Sequence, residues 1–240
     1  MPNQADDQPA LPRALRLLWQ EQRPQPARSG GLSRERIVAA AIDLADAEGL
    51  GALSMARLAE RLNCGTMSLY RHVANKDELL TFMLSAAPGP PPRHGNADWR
   101  TAVENWATGL WTVYRRHPWI LRTASAGPPL DPGQLAWLDA GLAALDGTGL
   151  AERDKLAAVM AVLHLVRGAA ALAVEAGGHQ DDYAAILRQV VDPDRLPALA
   201  AALDAGVFDE AATPAGAAPG AEFRSGLAQL LDGIAAGRLE

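Results

Sequence analysis

The sequence has little of several features that would indicate a secreted or membrane protein. It contains one cysteine, Cys64, so it can form neither an intramolecular disulfide nor a cysteine-rich zinc site. Aromatic residues make up 5% of the chain and β-branched residues are sparse, which favours helix over strand. No uninterrupted apolar window of about 18 residues occurs, and no signal-peptide pattern precedes the first helical segment. We therefore expect a soluble, cytoplasmic protein with no membrane partner.

The chain also lacks the excess of basic residues that is common in nucleic-acid-binding proteins, because its formal net charge is −6. Residues 1–80 hold ten basic and ten acidic side chains, whereas residues 81–240 hold twelve and eighteen. A neutral N-terminal part on an acidic body is compatible with DNA binding through a few placed cations. It disfavours a DNA-organising protein, which is usually basic throughout.

Motifs of common catalytic sites are missing as well. The sequence has no GxSxG, no phosphate-binding GxxxxGKS or GxxxxGKT, no HExxH and no convincing GxGxxG. His94, His117 and His179 do not stand at metal-ligand spacing. We expect no enzyme activity, no cofactor and no metal, and the alternative is an enzyme with an unrecognised site in the C-terminal domain.

What the sequence does contain is a series of helical patterns separated by proline and glycine. Residues 1–31 are rich in Pro, Gln and Arg and are predicted to form a mobile arm with up to two helical turns, which either contacts the DNA minor groove or is an inert tail. Residues 32–80 are predicted to form a compact helical domain. Residues 81–240 begin with a Pro- and Gly-rich loop, and further helices are predicted near 98–116, 119–125, 132–146, 152–176, 180–191, 194–205 and 221–237.

Four short helices are predicted in residues 32–80. Ser33 and Ser54 stand where they can cap the first two helices, and Thr66–His72 forms the third. Asn75, followed by Glu78, resembles a capping box at the start of the fourth. Two short helices joined by a tight turn are typical of a helix-turn-helix, whose second helix enters the major groove of DNA. The outward residues of that helix are Thr66, Met67, Ser68, Tyr70, Arg71 and His72.

Residues 32–84 read LSRERIVAAAIDLADAEGLGALSMARLAERLNCGTMSLYRHVANKDELLTFML, and this segment resembles the N-terminal domain of the TetR/AcrR family along its whole length. The shared features are a first helix ending in AEG, an SMxxLAxxL second helix, the TMSLYRHV recognition helix and NKDELL at the start of the fourth. The resemblance implies an all-α fold, with an N-terminal helix-turn-helix domain and a larger helical effector-binding and dimerisation domain over residues 81–240. It also implies a homodimer on double-stranded operator DNA.

The resemblance implies roles for individual residues in DNA binding. Residues 66–68 occupy positions that face bases, whereas Tyr70, His72 and Lys76 match positions that contact phosphates. The alternatives are that Tyr70 packs on the core and that His72 is merely exposed. The full set of expected DNA contacts is Ser54, Arg57, Thr66, Met67, Ser68, Tyr70, Arg71, His72 and Lys76.

Two helices of the C-terminal domain are expected to pair with their symmetry mates, as in other members of the family. An apolar stripe of this kind is also typical of plain intrachain core. The residues expected at the dimer interface are Leu156, Val159, Leu163, Phe223, Leu227, Leu230, Leu231 and Ile234.

A cluster of aromatic residues between positions 99 and 137 indicates either a pocket for an apolar or planar effector or ordinary core packing. The expected pocket residues are Trp106, Trp111, Tyr114, Trp119, Trp137, Met160 and His164. Together these features predict a sequence-specific transcriptional repressor that an unknown small-molecule effector releases from a palindromic operator. The alternative is a constitutive DNA-binding regulator without an effector.

Overall fold

The computed structural model describes residues 10–21, 31–123, 129–175, 183–208 and 220–237. Within these ranges the chain is all-α, as predicted, and contains no strand. The N-terminal part comprises α1 (Arg13–Glu21), α2 (Arg34–Glu48), α3 (Met55–Arg61), α4 (Thr66–Tyr70) and α5 (Lys76–Ala86). The body comprises α6 (Trp99–Arg116), α7 (Trp119–Thr123), α8 (Pro132–Ala143), α9 (Glu152–Glu175), α10 (Tyr183–Val190), α11 (Pro197–Asp204) and α12 (Ala221–Ala236).

Side-chain caps determine where three of the N-terminal helices begin. Ser33, Ser54 and Asn75 each accept a hydrogen bond from the backbone N–H three residues later, at 3.3, 3.2 and 2.8 Å. These contacts satisfy N–H groups that have no partner within the helix. Gly49 ends α2 with a φ of 79°, a conformation that favours glycine. The caps predicted from the sequence are therefore confirmed.

Helices α2 to α5 enclose a small core that holds the helix-turn-helix together. Its fully buried side chains include Ile37, Leu58, Leu69 and Phe82. The guanidinium of Arg34 lies 4.9 Å from the centre of the Phe82 ring. This core fixes the orientation of α4 relative to α2 and α3.

Helix α1 lies within the arm expected over residues 1–31. Ala14 and Leu15 are buried, and α1 packs on α5. Arg13 forms an ion pair with the buried carboxylate of Glu78, at 2.5 Å from Oε1 and 2.6 Å from Oε2. The helical turns expected within the arm are α1 itself, whose apolar face is buried and whose Arg13 neutralises Glu78. Residues 1–9 and 22–30 lie outside the described residues.

The body is built around the contact between α6 and α9, with α8 and α12 packed beside them. Val159, Val162, Val166 and Ala170 form the buried stripe of α9 at helical spacing. Gly141 lets α8 approach α6 closely, since a Cβ there would lie 2.9 Å from ring atoms of Trp106.

Helix α9 is the one described helix that is long and apolar enough to span a membrane by length and composition alone. Only 28% of its most apolar window is buried within the protomer. Leu172 is exposed on the side opposite the buried stripe, and Leu156 is exposed on the flank that carries Met160 and Leu163. The helix packs against α6, α8 and α12 on its other side, as a core helix of the body does.

Candidate DNA-binding and ligand-binding sites

The recognition helix α4 is anchored by one side chain and presents the others to solvent. Leu69 is fully buried, whereas Thr66 and Met67 are exposed and Ser68 is half-buried. Met67 is 73% exposed. Leu69 therefore holds the helix on the core while residues 66–68 face outward, where base edges could be read.

The end of α4 carries the residues expected to contact phosphates. The Tyr70 side chain is 47% exposed and lies outside the core, which disfavours the packing alternative for this residue. Arg71 is exposed and His72 is half-buried, and the His72 carbonyl accepts a hydrogen bond from Arg34 Nε at 3.5 Å. Aromatic hydroxyl, guanidinium and imidazole groups thus lie together at one end of the recognition helix.

Lys76 lies in the first turn of α5, where a helix favours an anion. Its side chain is exposed, and the exposed Asp77 follows it. The carboxylate of Glu78 accepts from the Ala74 backbone N–H and is neutralised by Arg13. The helix N-terminus and the lysine together suit a DNA phosphate.

Ser54 and Arg57 already have partners within the protein. The Ser54 hydroxyl caps α3, as described above, although the residue is exposed. Arg57 Nη2 lies 2.7 Å from a carboxylate oxygen of Glu48 on α2. Arg57 must therefore exchange this surface ion pair for a phosphate if it contacts DNA, at a cost of at most about 1 kcal/mol.

A cavity of about 480 Å³ lies between α6, α8 and α9. Five of the seven predicted pocket residues line it, namely Trp106, Tyr114, Trp137, Met160 and His164. Gln134 and Arg167 also line the cavity and were not predicted from the sequence. Arg167 lies seven residues after Met160 and three after His164, so the helical period of α9 was a signal that could have found it.

Trp111 and Trp119 do not line this cavity, and their assignment to it is a correction. Trp111 packs against Phe223 of α12, with ring centres 5.3 Å apart. It follows Trp106 by five residues, which turns it by about 140° around the helix, away from the cavity. Trp119 instead donates its indole N–H to Asp46 at 2.8 Å.

Asp46 connects the helix-turn-helix domain to the body. Its carboxylate oxygens lie 2.8 and 2.9 Å from Nδ1 of His117, and Trp119 donates to the same carboxylate. Asp46 belongs to α2, whereas His117 is the residue at which α6 ends. His117 is buried, whereas the Asp46 side chain keeps 25% of its surface exposed. The Asp46 carboxylate therefore joins α2 to the end of α6.

Some of the residues predicted at a dimer interface are buried inside the protomer, and the others keep exposed surface. Phe223 packs against Trp111 and Leu231 is fully buried, so the intrachain alternative describes these side chains and their assignment to a dimer contact is corrected. Leu163 lines the cavity. Four of the predicted residues are buried inside the protomer, namely Val159, Phe223, Leu227 and Leu231. The other four keep exposed surface, namely Leu156, Leu163, Leu230 and Ile234.

Among the described residues, no three His, Cys, Asp or Glu side chains are grouped so that they could hold a metal ion. His94 lies against the Ala140 carbonyl, with 2.8 Å from Nε2 to the oxygen, and His117 is occupied by Asp46. His179 lies outside the described residues.

Two family descriptions match consecutive parts of the chain. "Bacterial regulatory proteins, tetR family" matches residues 37–81, and "Tetracyclin repressor-like, C-terminal domain" matches residues 91–238. The first covers α3, α4 and most of α2 and α5, and the second covers α6 to α12.

Relatives of known sequence are transcriptional regulators. The chain is 39% identical to the HTH-type transcriptional repressor DrrR1 of Streptomyces coeruleorubidus over 67% of this chain and 61% of that protein. It is 32% identical to the class A tetracycline repressor protein from transposon 1721 of Escherichia coli, over 87% of this chain and 93% of that protein. The chain thus spans less than two thirds of the first relative and nearly all of the second.

Solved structures of similar fold come from Streptomyces coelicolor. The transcriptional regulator SCO7222, a TetR, has a TM-score of 0.73 at 27% identity, covering 86% of this chain and 99% of that one. The TetR family protein ActR in complex with actinorhodin has a TM-score of 0.72 at 26% identity, covering 88% of this chain and 100% of that one.

Proposed function

Because the chain belongs to the tetR family of bacterial regulatory proteins, we propose that it is a cytoplasmic transcriptional repressor whose operator binding is relieved by a small molecule. In this proposal the protein is a regulator, not an enzyme. Helix α4 reads the operator, the cavity between α6, α8 and α9 binds the effector, and the Asp46–His117 contact links the two.

DNA recognition is assigned to two kinds of contact on α4 and its surroundings. Thr66, Met67 and Ser68 read base edges, because their side chains project from a short helix that fits the major groove. Tyr70, His72 and Lys76 hold phosphates, which position the helix without reading sequence. Substitutions in the first group are expected to change the preferred bases, and substitutions in the second to weaken binding to all sequences.

The repressor acts as a homodimer on a palindromic operator. Two protomers then place their recognition helices about 34–36 Å apart, the spacing of successive major grooves on one face of DNA. The exposed side of α9, opposite its buried stripe, supplies apolar surface for this contact through Leu172. Gly168 on the same helix leaves open space in which a partner helix can approach closely. This surface takes the place of the buried residues that the sequence pattern indicated.

Release from DNA follows from the position of α6, and this is the observation that carries the proposal. One stretch of α6 lines the cavity through Trp106, Leu110 and Tyr114, and the helix ends at His117 against Asp46 of α2. A ligand that shifts α6 therefore shifts α2 and the recognition helix attached to it. Allosteric coupling of about 1–3 kcal/mol weakens operator binding roughly 5–150-fold. The solved complex of ActR with actinorhodin supports a small-molecule site in this fold.

Selection of bound sequences from random duplex DNA tests the first half of the proposal. We expect an enriched inverted repeat with two half-sites about one helical turn apart, bound by two protomers in sedimentation experiments. Salt-sensitive binding without sequence preference, or a monomer on the DNA, would contradict it. An operator that is bound with the same affinity in the presence of every cavity ligand would indicate a constitutive regulator.

A further inference from the structure

The tryptophan rings that line the cavity present carbon surface rather than hydrogen-bonding groups. Trp106 Nε1 donates to the Trp137 carbonyl at 2.8 Å, and Trp137 Nε1 donates to the Gly89 carbonyl at 2.9 Å. Indole has no other polar atom, so both residues have already satisfied their donors. What remains in the cavity is flat apolar surface that suits the face of an aromatic ring.

Arg167 brings a positive charge to this apolar cavity. Its Nη2 lies 3.5 Å from the Leu121 carbonyl, and its guanidinium carbon lies 5.7 Å from the centre of the Tyr114 ring. Among the described residues no carboxylate forms an ion pair with it. Arginine has five N–H donors in a planar fork, so most of its donors remain available to a ligand. A half-buried cation of this kind is stabilised by an anion that enters the cavity.

Tyr114 adds a second donor beside Arg167. Burial raises the pKa of the Tyr114 phenol, and the nearby guanidinium of Arg167 opposes this shift. The phenol therefore stays protonated at neutral pH. Gln134 donates one of its two amide N–H groups to Asp131. The polar side of the cavity thus offers the donors of Arg167 and Tyr114 and one positive charge, with the Gln134 amide and the His164 imidazole as its other polar groups.

We propose that the effector is a flat aromatic acid of two or three fused rings, whose anionic oxygen binds Arg167 and whose rings lie against Trp106 and Trp137. The inference rests on the proposed function, because it takes this cavity as the effector site. A volume of about 480 Å³ suits a ligand of this size, since ligand pockets span about 300–1,000 Å³. Cationic aromatic compounds of the same shape are disfavoured by the charge of Arg167.

Isothermal titration of the full chain, without DNA, tests the ligand class with three probes of matched shape. These are anthracene-2-carboxylate, the neutral anthracene-2-carboxamide and the cationic 2-(aminomethyl)anthracene. The carboxylate should bind about 10-fold more tightly than the carboxamide or better, because charge-assisted hydrogen bonds to arginine are strong. The amine should bind most weakly. Equal binding of acid and amide to the wild-type protein would overturn the proposal, and so would no binding of any probe.

Variants test whether Arg167 is the group responsible. Arg167→Gln should bring the acid and the amide to within about 2-fold of each other. Arg115→Gln is the matched control, because Arg115 donates to the Ala173 carbonyl from α6 and does not line the cavity. The Arg115→Gln variant should bind the acid more tightly than the amide by the same factor as the wild-type protein. If Arg167→Gln does not fold, Arg167→Lys, which keeps the charge but loses the planar fork, should retain part of the preference. A preference that survives Arg167→Gln overturns the assignment.

Failure of this inference and failure of the proposed function give different results. If the protein binds a selected operator but not the carboxylate, the ligand class is wrong and the repressor proposal stands. If the carboxylate binds through Arg167 and neither it nor any other cavity ligand changes operator binding, the ligand class stands and effector-controlled release is wrong.

Discussion

The imidazole of His117 lies 2.8 Å from the carboxylate of Asp46, and this contact joins the C-cap residue of α6 to α2, the helix that precedes the helix-turn-helix pair α3 and α4. The two residues are 71 positions apart in sequence. Trp119 binds the same carboxylate, so two side chains of the body hold one side chain of the DNA-binding domain. The geometry of the DNA-binding domain is thereby tied to the helix that lines the cavity.

Replacing Asp46 with Asn should reduce the effect of a ligand on operator binding. The amide keeps an acceptor for Trp119 but loses the charge that faces His117. We expect the ratio of operator affinities without and with ligand to fall about 2–30-fold, the range for residues that carry coupling. Fluorescence anisotropy with the selected operator measures this ratio.

Glu48→Gln is the control for Asp46→Asn, since both are acids on α2 and Glu48 contacts Arg57 within the DNA-binding domain. Its operator affinity can change, but the ratio with and without ligand should not. An unchanged ratio in Asp46→Asn would show that coupling takes another route.

Replacing Arg13 with Gln should destabilise the protein, because it leaves the buried Glu78 carboxylate without its cation. Arg13 is about half exposed, so we expect a loss in the free energy of unfolding of about 1–2 kcal/mol, below the range for a fully buried pair. Urea denaturation measures this loss. Arg16→Gln, on the exposed side of the same helix, should leave stability within about 0.5 kcal/mol. Equal stability of the two variants would argue against the ion pair.

Gly133→Ala should be strongly destabilising. A Cβ at this position would lie 1.9 Å from the backbone oxygen of Ser85, so α5 and α8 would have to separate. Overpacking of this kind costs about 1–3 kcal/mol or more, and it should lower the midpoint of thermal unfolding. Gly51→Ala is the control, because a Cβ there meets nothing within 4 Å. Similar midpoints for both variants would contradict the close approach of the two helices.

Replacing Lys76 with Gln should weaken binding to specific and random DNA alike. Each phosphate contact contributes about 0.9 to the slope of log affinity against log salt, so a dimer that loses two lysines should lose about 1.8. Lys155→Gln is a matched control, because the chain has only these two lysines and Lys155 pairs with Asp146 and Glu152. An unchanged slope in Lys76→Gln would exclude its phosphate contact.

The sequence predicts local structure well where short-range chemistry decides it. Ser33, Ser54 and Asn75 cap helices because each acts on an N–H three residues away, and the pattern of α9 identifies its buried stripe. The sequence predicts the position of a side chain less well where packing between distant elements determines that position. Trp106 and Trp111 look alike in sequence, and only the rotation of α6 places one on the cavity and the other on Phe223.

Two further features depend on contacts that no local pattern shows. The packing of α1 on α5 includes a contact between Arg13 and the buried carboxylate of Glu78, 65 residues away. Burial of Leu227 and Leu231 inside the protomer requires α9 and α12 to pack within one chain. The apolar stripe in the sequence fits an intrachain core and a dimer interface equally well.

The central claim is that a ligand in the cavity weakens operator binding, and equilibrium titration of the selected operator tests it most directly. The titration is performed without ligand and with the aromatic compound that gives the largest thermal stabilisation in a screen of acids and their neutral counterparts. We predict that saturating ligand raises the operator Kd about 5–150-fold, and that operator DNA weakens ligand binding by the same factor. An operator Kd that stays the same while the cavity is saturated would contradict the account.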